Sequence, residues 1–538
     1  MTSGTKICQN CNQTFPIAPD DFSFYEKMQV PPTTWCPQCR LIRRLAWRNE
    51  RNFYHDICGL CNKKIISVYA PGHPFPVYCS ECWWGDGWNP MDHGKPYDSS
   101  KPFFEQFHEL FSKVPRPHLL ATSTKNCSYC NYFADGKNCY LCFGSIAVED
   151  CLYGSPYESK FCVDTYLARQ CEYCYECIDC EKLSNCIYAQ DCVSSFNLLY
   201  CFDCKNCQDC IGCAGLRNKK YCIFNVQYTR EEFMAKRDAY LTRGAQGLTE
   251  IAGEFKKIKL AVPHRFASTL QCKDVSGDHI VQSKNAKNCF DVKRTEDSSY
   301  CIRMIDAKDA HDVNYCEYLE LCYDYIGHWK VQRAKFSNTS GESSDITYCD
   351  FCTGSSNLFG CVGLRSKSYC ILNRQYSPNE YDDLISKIKS QMSKMGDYGE
   401  FFPMALSPFA YNESVAMDYF PLSKEETISK GYRWRDPEPR HYEIKDDISA
   451  CAHGGTCDHI CTTAFRMIPA ELEFYQRMKL SPPSLCPNCR HFERLALRNP
   501  FKLYSRQCAK CQKEIETSYA PNRPEIVYCE SCYQQEVL

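Results

Sequence analysis

The residues best able to do chemistry in this chain are cysteines in pairs. Cys8/Cys11, Cys36/Cys39, Cys58/Cys61 and Cys79/Cys82 are each a C-x2-C pair. A C-x2-C turn directs two sulfurs at one point, and two such turns supply the four tetrahedral thiolates that structural zinc takes. Near the other end Cys486/Cys489, Cys508/Cys511 and Cys529/Cys532 repeat the pattern. The remaining pair there is wider, Cys457 and Cys461, with Cys451, His453 and His459 close by. Taken in order, the pairs predict two ribbons at each end. The third site is expected from Cys457, Cys461, Cys486 and Cys489, with Cys451 or His459 as substitutes, and zinc is expected at about four ions per chain. The competing chemistry is two disulfides per ribbon. Clustered C-x2-C pairs without a secretory signal argue for metal instead.

These sites need two hairpin-bearing modules, and the modules are copies. Residues 11–82 align with 461–532 at an offset of 450, with Phe15/Phe465, Tyr25/Tyr475 and Pro37/Pro487 agreeing beside the cysteines. The middle is also doubled. Cys201, Cys204, Cys213 and Cys222 recur 148 residues on as Cys349, Cys352, Cys361 and Cys370, and Gly215-Leu216-Arg217 recurs as Gly363-Leu364-Arg365. Each middle copy then enters a helix through a capping box, Thr229 with Glu232 and Ser377 with Glu380. Within the middle, Cys162, Cys177, Cys192, Cys207 and Cys222 are spaced by 15, as are Cys171, Cys186 and Cys201, and Cys301 and Cys316. A short fixed period predicts a stacked solenoid. Tyr beside Cys, as at Tyr200, Tyr221, Tyr300 and Tyr369, is expected to point outward from a strand whose Cys points inward.

The fold class expected is therefore mainly β: paired zinc ribbons at both ends of a two-part, Cys-rich β-solenoid of about 15 residues per coil, with helical inserts. The divisions read from the sequence are a double ribbon over 1–90, a linker over 91–124 and a first solenoid segment over 125–228. A helical insert over 229–269, a second solenoid segment over 270–376 and a helix over 377–398 follow. A connector over 399–450 leads to the second double ribbon over 451–538.

The segments Cys8–Arg40 and Cys457–Arg490 resemble a bacterial family of probable zinc-ribbon proteins. Its pattern is two Cys, a Phe, an acidic stretch with an aromatic pair, a Pro and a closing C-x2-C-R. Those positions here are Phe15, Glu26 with Phe24-Tyr25, Pro32 and Cys36-Pro37-Gln38-Cys39-Arg40. The second segment departs in its Cys457/Cys461 spacing and in Glu473, which precedes its aromatic pair. The whole layout is similar to large Cys-rich proteins of uncultured small-genome bacteria. The resemblance implies zinc and leaves the substrate or partner open.

Other cysteines are expected inside the solenoid. Cys171, Cys174, Cys177 and Cys180 form one run, and Cys204, Cys207, Cys210 and Cys213 belong to another. They read as small apolar fillers, as further thiophilic-metal ligands, or as iron–sulfur ligands, although neither run has the ferredoxin spacing. Arg40, Arg44 and Arg48, and again Arg490, Arg494 and Arg498, fall on one face of a helix-like stretch after each first ribbon. Such a face can hold RNA or DNA phosphates, or can pair with carboxylates and pack its stems. The net charge of −2 gives no general basic field.

No HExxH, P-loop or nucleophile elbow occurs. His73, His93, His264 and His311 sit in unrelated contexts, and the acid pair Asp306/Asp309 is too little to define an active site. With no apolar leader and no membrane-length apolar run, a reducing cytoplasm is expected. The function expected is a zinc-stabilised, non-enzymatic scaffold docking a macromolecular partner, with RNA or an RNA-containing assembly as the leading candidate and a protein as the other. The alternatives are a thiol-rich metal store or sensor, and an enzyme with a site on the solenoid surface.

Overall fold

A computed structural model describes residues 4–327, 329–437 and 448–537. The chain is mainly sheet, with twelve α-helices among the described residues. It forms two compact units, and neither is a continuous stretch of sequence. One comprises Met1–Leu119 and Ala267–Asp436, and the other comprises Leu120–Phe266 and Pro437–Leu538. The linear division expected from the sequence is thus replaced by an interleaved one. Each unit holds one terminal ribbon pair with the middle copy more distant from it in sequence.

Each middle copy is an array of parallel strands closed by one antiparallel hairpin. The first array runs from Ala121–Lys125 to Val226–Gln227, and the second from Thr269–Leu270 to Arg374–Gln375. The register corrects the expected period. Asn131 pairs with Phe143, Glu181 with Val193, and Phe290 with Ile302, a prevailing step of 12 and not 15. The reason lies in a three-residue unit. Cys171, Cys174, Cys177 and Cys180 are all buried, and the residues just before the last three, Tyr173, Glu176 and Asp179, have φ of 50°, 53° and 52°. Each triplet has an inward residue, a second residue and a left-handed corner. Four triplets make one 12-residue step. Cysteines 15 apart are five triplets apart, so both still point inward but lie one side further round.

The corner positions explain other features. Asn and Asp tolerate the left-handed region better than most residues. They recur there in rows, with Asn138 donating to Asp150, Asn285 to Asp297 and Asn197 to Asp209, each at 2.9 Å. Tyr200, Tyr221 and Tyr369 lie within strands as expected and Tyr300 directly follows one, and all four occupy left-handed corners, with φ of 52° to 61°. Aromatic stacking does follow the 12-residue step: the rings of Tyr188 and Tyr200 lie 4.3 Å apart, and those of Phe161 and Tyr173 lie 4.7 Å apart. At Leu152↔Val163 and Thr269↔Ile280 the step shortens to 11. Glycine is required beside each, because a Cβ on Gly154 or Gly277 would lie 2.0 or 1.7 Å from the carbonyl oxygen of Thr165 or Cys289.

The first array is filled mainly by thiols, with Val148, Leu183 and Leu198 among them, and the second by a more even mixture of thiols and apolar residues such as Ile280, Val292, Met304 and Leu358. The side chain of Cys316 lies outside the described residues, as does the 438–447 part of the expected connector. Helices follow each array through the expected capping boxes: Arg230–Leu241 after Thr229 and Pro378–Met395 after Ser377. A further helix, Ala245–Ala261, follows Gly244. The 91–124 stretch is not a plain linker. It contains the Phe103–Phe111 helix, whose Phe103, Phe107 and Phe111 are buried in the core of the first unit.

Candidate metal centres

Four hairpins place the ribbon cysteines. Three of them match closely: Gly4–Ile7 pairs with Thr14–Ile17, Tyr54–Ile57 with Lys64–Ser67, and Tyr504–Gln507 with Glu514–Thr517. In each tip the first Cys accepts an amide hydrogen bond from a left-handed residue four places on: Asn12, Asn62 or Gln512. The third Cys immediately precedes a helix: Cys36 before Pro37–Leu45, Cys79 before Ser80–Trp84 and Cys529 before Glu530–Val537. The fourth Cys lies in that helix's first turn. The third Cys donates its backbone N–H to the first Cys Sγ at 3.2 Å for Cys36→Cys8, and at 3.3 Å for Cys79→Cys58 and Cys529→Cys508.

The groups are consecutive: Cys8, Cys11, Cys36 and Cys39; Cys58, Cys61, Cys79 and Cys82; Cys508, Cys511, Cys529 and Cys532. Zn–S bonds of about 2.3 Å imply sulfurs roughly 3.8 Å apart along a tetrahedron edge. The separations for Cys11–Cys36, Cys61–Cys79 and Cys511–Cys529 are 3.9, 3.8 and 3.7 Å. These are far from a disulfide bond length, and the donor set fits a tetrahedral metal ion. Hydrogen bonding by Cys39 brings the Cys36 thiol down to about 5, against the effect of burial. The Ser531 hydroxyl and the Cys532 amide do the same for Cys529, to about 6. Thiolate is the form that binds metal.

The remaining site corrects the expected ligand set. Its hairpin pairs Ile448–Ala450 with Ala464–Arg466, so Cys451, directly after the first strand, stands where Cys8 stands. The Cys486 amide donates to Cys451 Sγ at 3.2 Å, as Cys36 does to Cys8. Cys451, Cys461, Cys486 and Cys489 form the four-thiol group, and Cys457 is not its member. Sequence alignment favoured Cys457 because nine residues separate Cys451 from Cys461, where two separate Cys8 from Cys11. The strand register is what reveals the insertion.

Of the two readings of the arginine faces, the structure favours pairing with carboxylates over phosphate binding. Five of the six guanidinium-bearing residues, Arg40, Arg44, Arg48, Arg490 and Arg494, are at most 3% exposed. Arg498 has only 6% of its side chain exposed. Arg40 Nε lies 2.6 Å from Asp312, and Arg44 bonds both Asp312 and Asp324. Arg43 bridges Asp324 at 2.6 Å and Glu400 at 2.9 Å, and Arg48 meets Glu50 at 2.6 Å. In the other unit Arg490 reaches Asp164 at 2.8 Å and Glu471 at 3.1 Å. Arg494 reaches Asp164 and Glu176, both at 2.9 Å, and Arg498 reaches Asp179 at 2.7 Å. None of these six presents an open charge to a phosphate backbone.

The acids that meet these arginines carry a signal in the sequence. Asp164 and Glu176 are 12 apart, and 148 residues on they become Asp312 and Asp324, also 12 apart. All four are left-handed corner residues in adjacent rows of an array. Rows lie about 4.8 Å apart, and four helical residues rise about 6 Å. An Arg pair at i and i+4 therefore spans two rows.

The other candidates have structural partners. Cys171, Cys174, Cys177, Cys180, Cys204, Cys207, Cys210 and Cys213 are inside the first array. Several of these thiols donate to carbonyls, as Cys177 does to Cys186 at 3.4 Å and Cys204 to Cys213 at 3.7 Å. Burial pushes Cys177 and Cys180 well up, whereas hydrogen bonds from Cys162 and Cys171 pull Cys174 down. His73 bonds Asp56 at 3.1 Å, His264 bonds the Lys259 carbonyl at 2.7 Å, and His311 stacks on Phe24 at 3.6 Å. Asp306 pairs with Arg294, and Asp309 with Lys27 at 2.9 Å.

Among the described residues no helix is long and apolar enough to cross a membrane. Neither a family model nor a curated protein matches the chain. Among solved structures, a Desulfovibrio desulfuricans G20 protein described as a putative acetyltransferase aligns at 10% identity and a TM-score of 0.09, covering 51% of this chain and 79% of that one. That likeness is too slight to carry any argument about fold or activity.

Proposed function

We propose that this chain is a cytoplasmic, zinc-organised binding scaffold in which two β-solenoids are each clamped by a zinc-ribbon pair and present their outer faces to a protein partner. One observation carries the reading. In both units the helix anchored by a four-cysteine group drives two arginines onto two acids in neighbouring rows of the array. The metal's role is then architectural: it fixes the helix N-terminus, and the helix ties the flank of the array. A nucleic-acid partner has less support, because the arginines that suggested it are occupied within the protein. The outward rows offer little net charge in exchange, since Lys137, Glu149 and Lys160 pair along one row and the corner residues Arg333 and Asp345 along another. A metal store also has less support, because the array thiols are buried and many are hydrogen-bonded to carbonyls.

Elemental analysis with chelator challenge tests this. Full-length protein purified without added metal should hold at least one zinc per four-cysteine group and release it slowly, with the arrays becoming protease-sensitive as it leaves. Many more ions, lost within minutes to a weak chelator with protease resistance unchanged, would establish the store instead. Binding of single-stranded RNA at low salt that is weakened by Arg40→Gln/Arg44→Gln without loss of stability would also overturn the clamp.

A further inference from the structure

The insertion that separates Cys451 from Cys461 brings donors of its own. His453, Cys457 and His459 all lie on it, and their donor atoms fall within 4.8 Å of one another and of Cys489 Sγ. Cys489 already belongs to the neighbouring four-thiol group. Its Sγ stands 3.6 Å from Cys457 Sγ and 3.8 Å from Cys451 Sγ, so it sits at a tetrahedron-edge distance from both sides. We propose that this end of the chain holds a binuclear centre, with Cys489 as a bridging thiolate and a second thiophilic divalent ion bound by His453, Cys457, His459 and Cys489. The proposal rests on the neighbouring four-thiol set being a metal site.

Independent observations point to a ligand. The Nδ1 atoms of His453 and His459 are buried and have no hydrogen-bond partner. A buried polar atom left this way is costly, and a metal ion would satisfy both nitrogens. The loop is shaped for the purpose: Gly454 and Gly455 have φ of 54° and 83°, and the Thr456 amide and hydroxyl both donate to the His453 carbonyl at 2.9 and 2.7 Å. The rings are held from outside. His459 stacks on Phe492 with centroids 5.4 Å apart, and His453 Nε2 faces Glu493 at 3.7 Å, an arrangement that orients ligating imidazoles. Charge favours the second ion as well. Four thiolates around one divalent ion carry a net charge of −2, whereas five thiolates and two neutral imidazoles around two such ions carry −1. The corresponding loop between Cys8 and Cys11 has neither the added length nor any histidine, so the same chain contains a mononuclear counterpart. A donor set of two thiolates and two imidazoles suits zinc.

The test is zinc stoichiometry of the full chain and its variants, read with protease resistance of the C-terminal module. Wild type should hold one ion more than its number of four-cysteine groups. His453→Gln/His459→Gln should lose one ion and keep the other and the fold. Cys457→Ser should do the same, and Cys489→Ser should lose two. Cys36→Ser, at the mononuclear counterpart, should lose one. A wild type holding one ion per four-cysteine group, with no loss in the double His variant, would overturn the binuclear centre and leave the scaffold reading intact. Failure of Cys36→Ser to lose an ion would instead overturn the metal-ribbon reading itself. If the double His variant unfolds, Cys457→Ser decides: an unchanged ion count in that folded variant overturns the proposal.

Discussion

Replacing Asp324 by Asn removes one charge from the middle of the first unit's clamp and nearly preserves its volume. Asp324 is fully buried and accepts from Arg43 at 2.6 Å and from Arg44. In this cluster Arg40, Arg43 and Arg44 are matched by Asp312, Asp324 and Glu400. The substitution leaves one buried positive charge in excess. Breaking a buried pair on one side costs about 3–5 kcal/mol. Arg43 keeps Glu400 at 2.9 Å and Arg44 keeps Asp312 at 3.3 Å, so about 3 kcal/mol is expected, roughly a hundredfold in the folding equilibrium. Adding Arg44→Met restores the balance and should recover much of the loss. All seven tryptophans lie in this unit, so their fluorescence during urea unfolding at saturating zinc reports on it alone. Burial works against the Asp324 carboxylate, but Arg43 and Arg44 hold its pKa below the usual value. Its stabilising contribution is therefore present above the unfolded pKa of about 3.9 and is lost as pH falls through the lower folded value. The penalty for Asp324→Asn should shrink below about pH 4. A cost under about 1 kcal/mol, the size of an exposed pair, or no recovery in the double variant, would refute the clamp energetics.

Three further outcomes are expected. Gly277→Ala should destabilise the second array severely, because φ is 131° and a Cβ would lie 1.7 Å from the Cys289 carbonyl oxygen. Gly215→Ala, with φ of 72° and nothing within 4 Å, should cost the first array only about 1–2 kcal/mol, as measured by hydrogen exchange. In the second unit, burial raises the Glu176 carboxyl to about 7 despite Arg494 at 2.9 Å, with Asp164 also raising it and Arg490 lowering it. The folded protein then keeps a proton that the unfolded chain releases above about pH 4.3, so stability falls as pH rises toward 7. Glu176→Gln should flatten that slope in hydrogen exchange of the Pro487–Ala496 helix.

Local signals were legible in the sequence. The C-x2-C turns, the capping boxes at Thr229 and Ser377 and both duplications depend on residues close together or on copied strings, and each could be read without coordinates. What the tertiary structure decided were matters of register and facing. Fifteen-residue spacing and 12-residue pairing are both whole numbers of triplets, and only the partner strand distinguishes them. The arginine periodicity showed a shared helical face but not which way it pointed. The acids that fill it lie some 270 residues away for Arg40 and Arg44, and over 300 away for Arg490 and Arg494. Cys451 replaced Cys457 for the same reason: spacing along the chain ranked the nearer cysteine first, whereas the hairpin register set the ligand. Chain proximity fixes what a turn can form, but long-range packing fixes what faces it, and that information is spread over both partners.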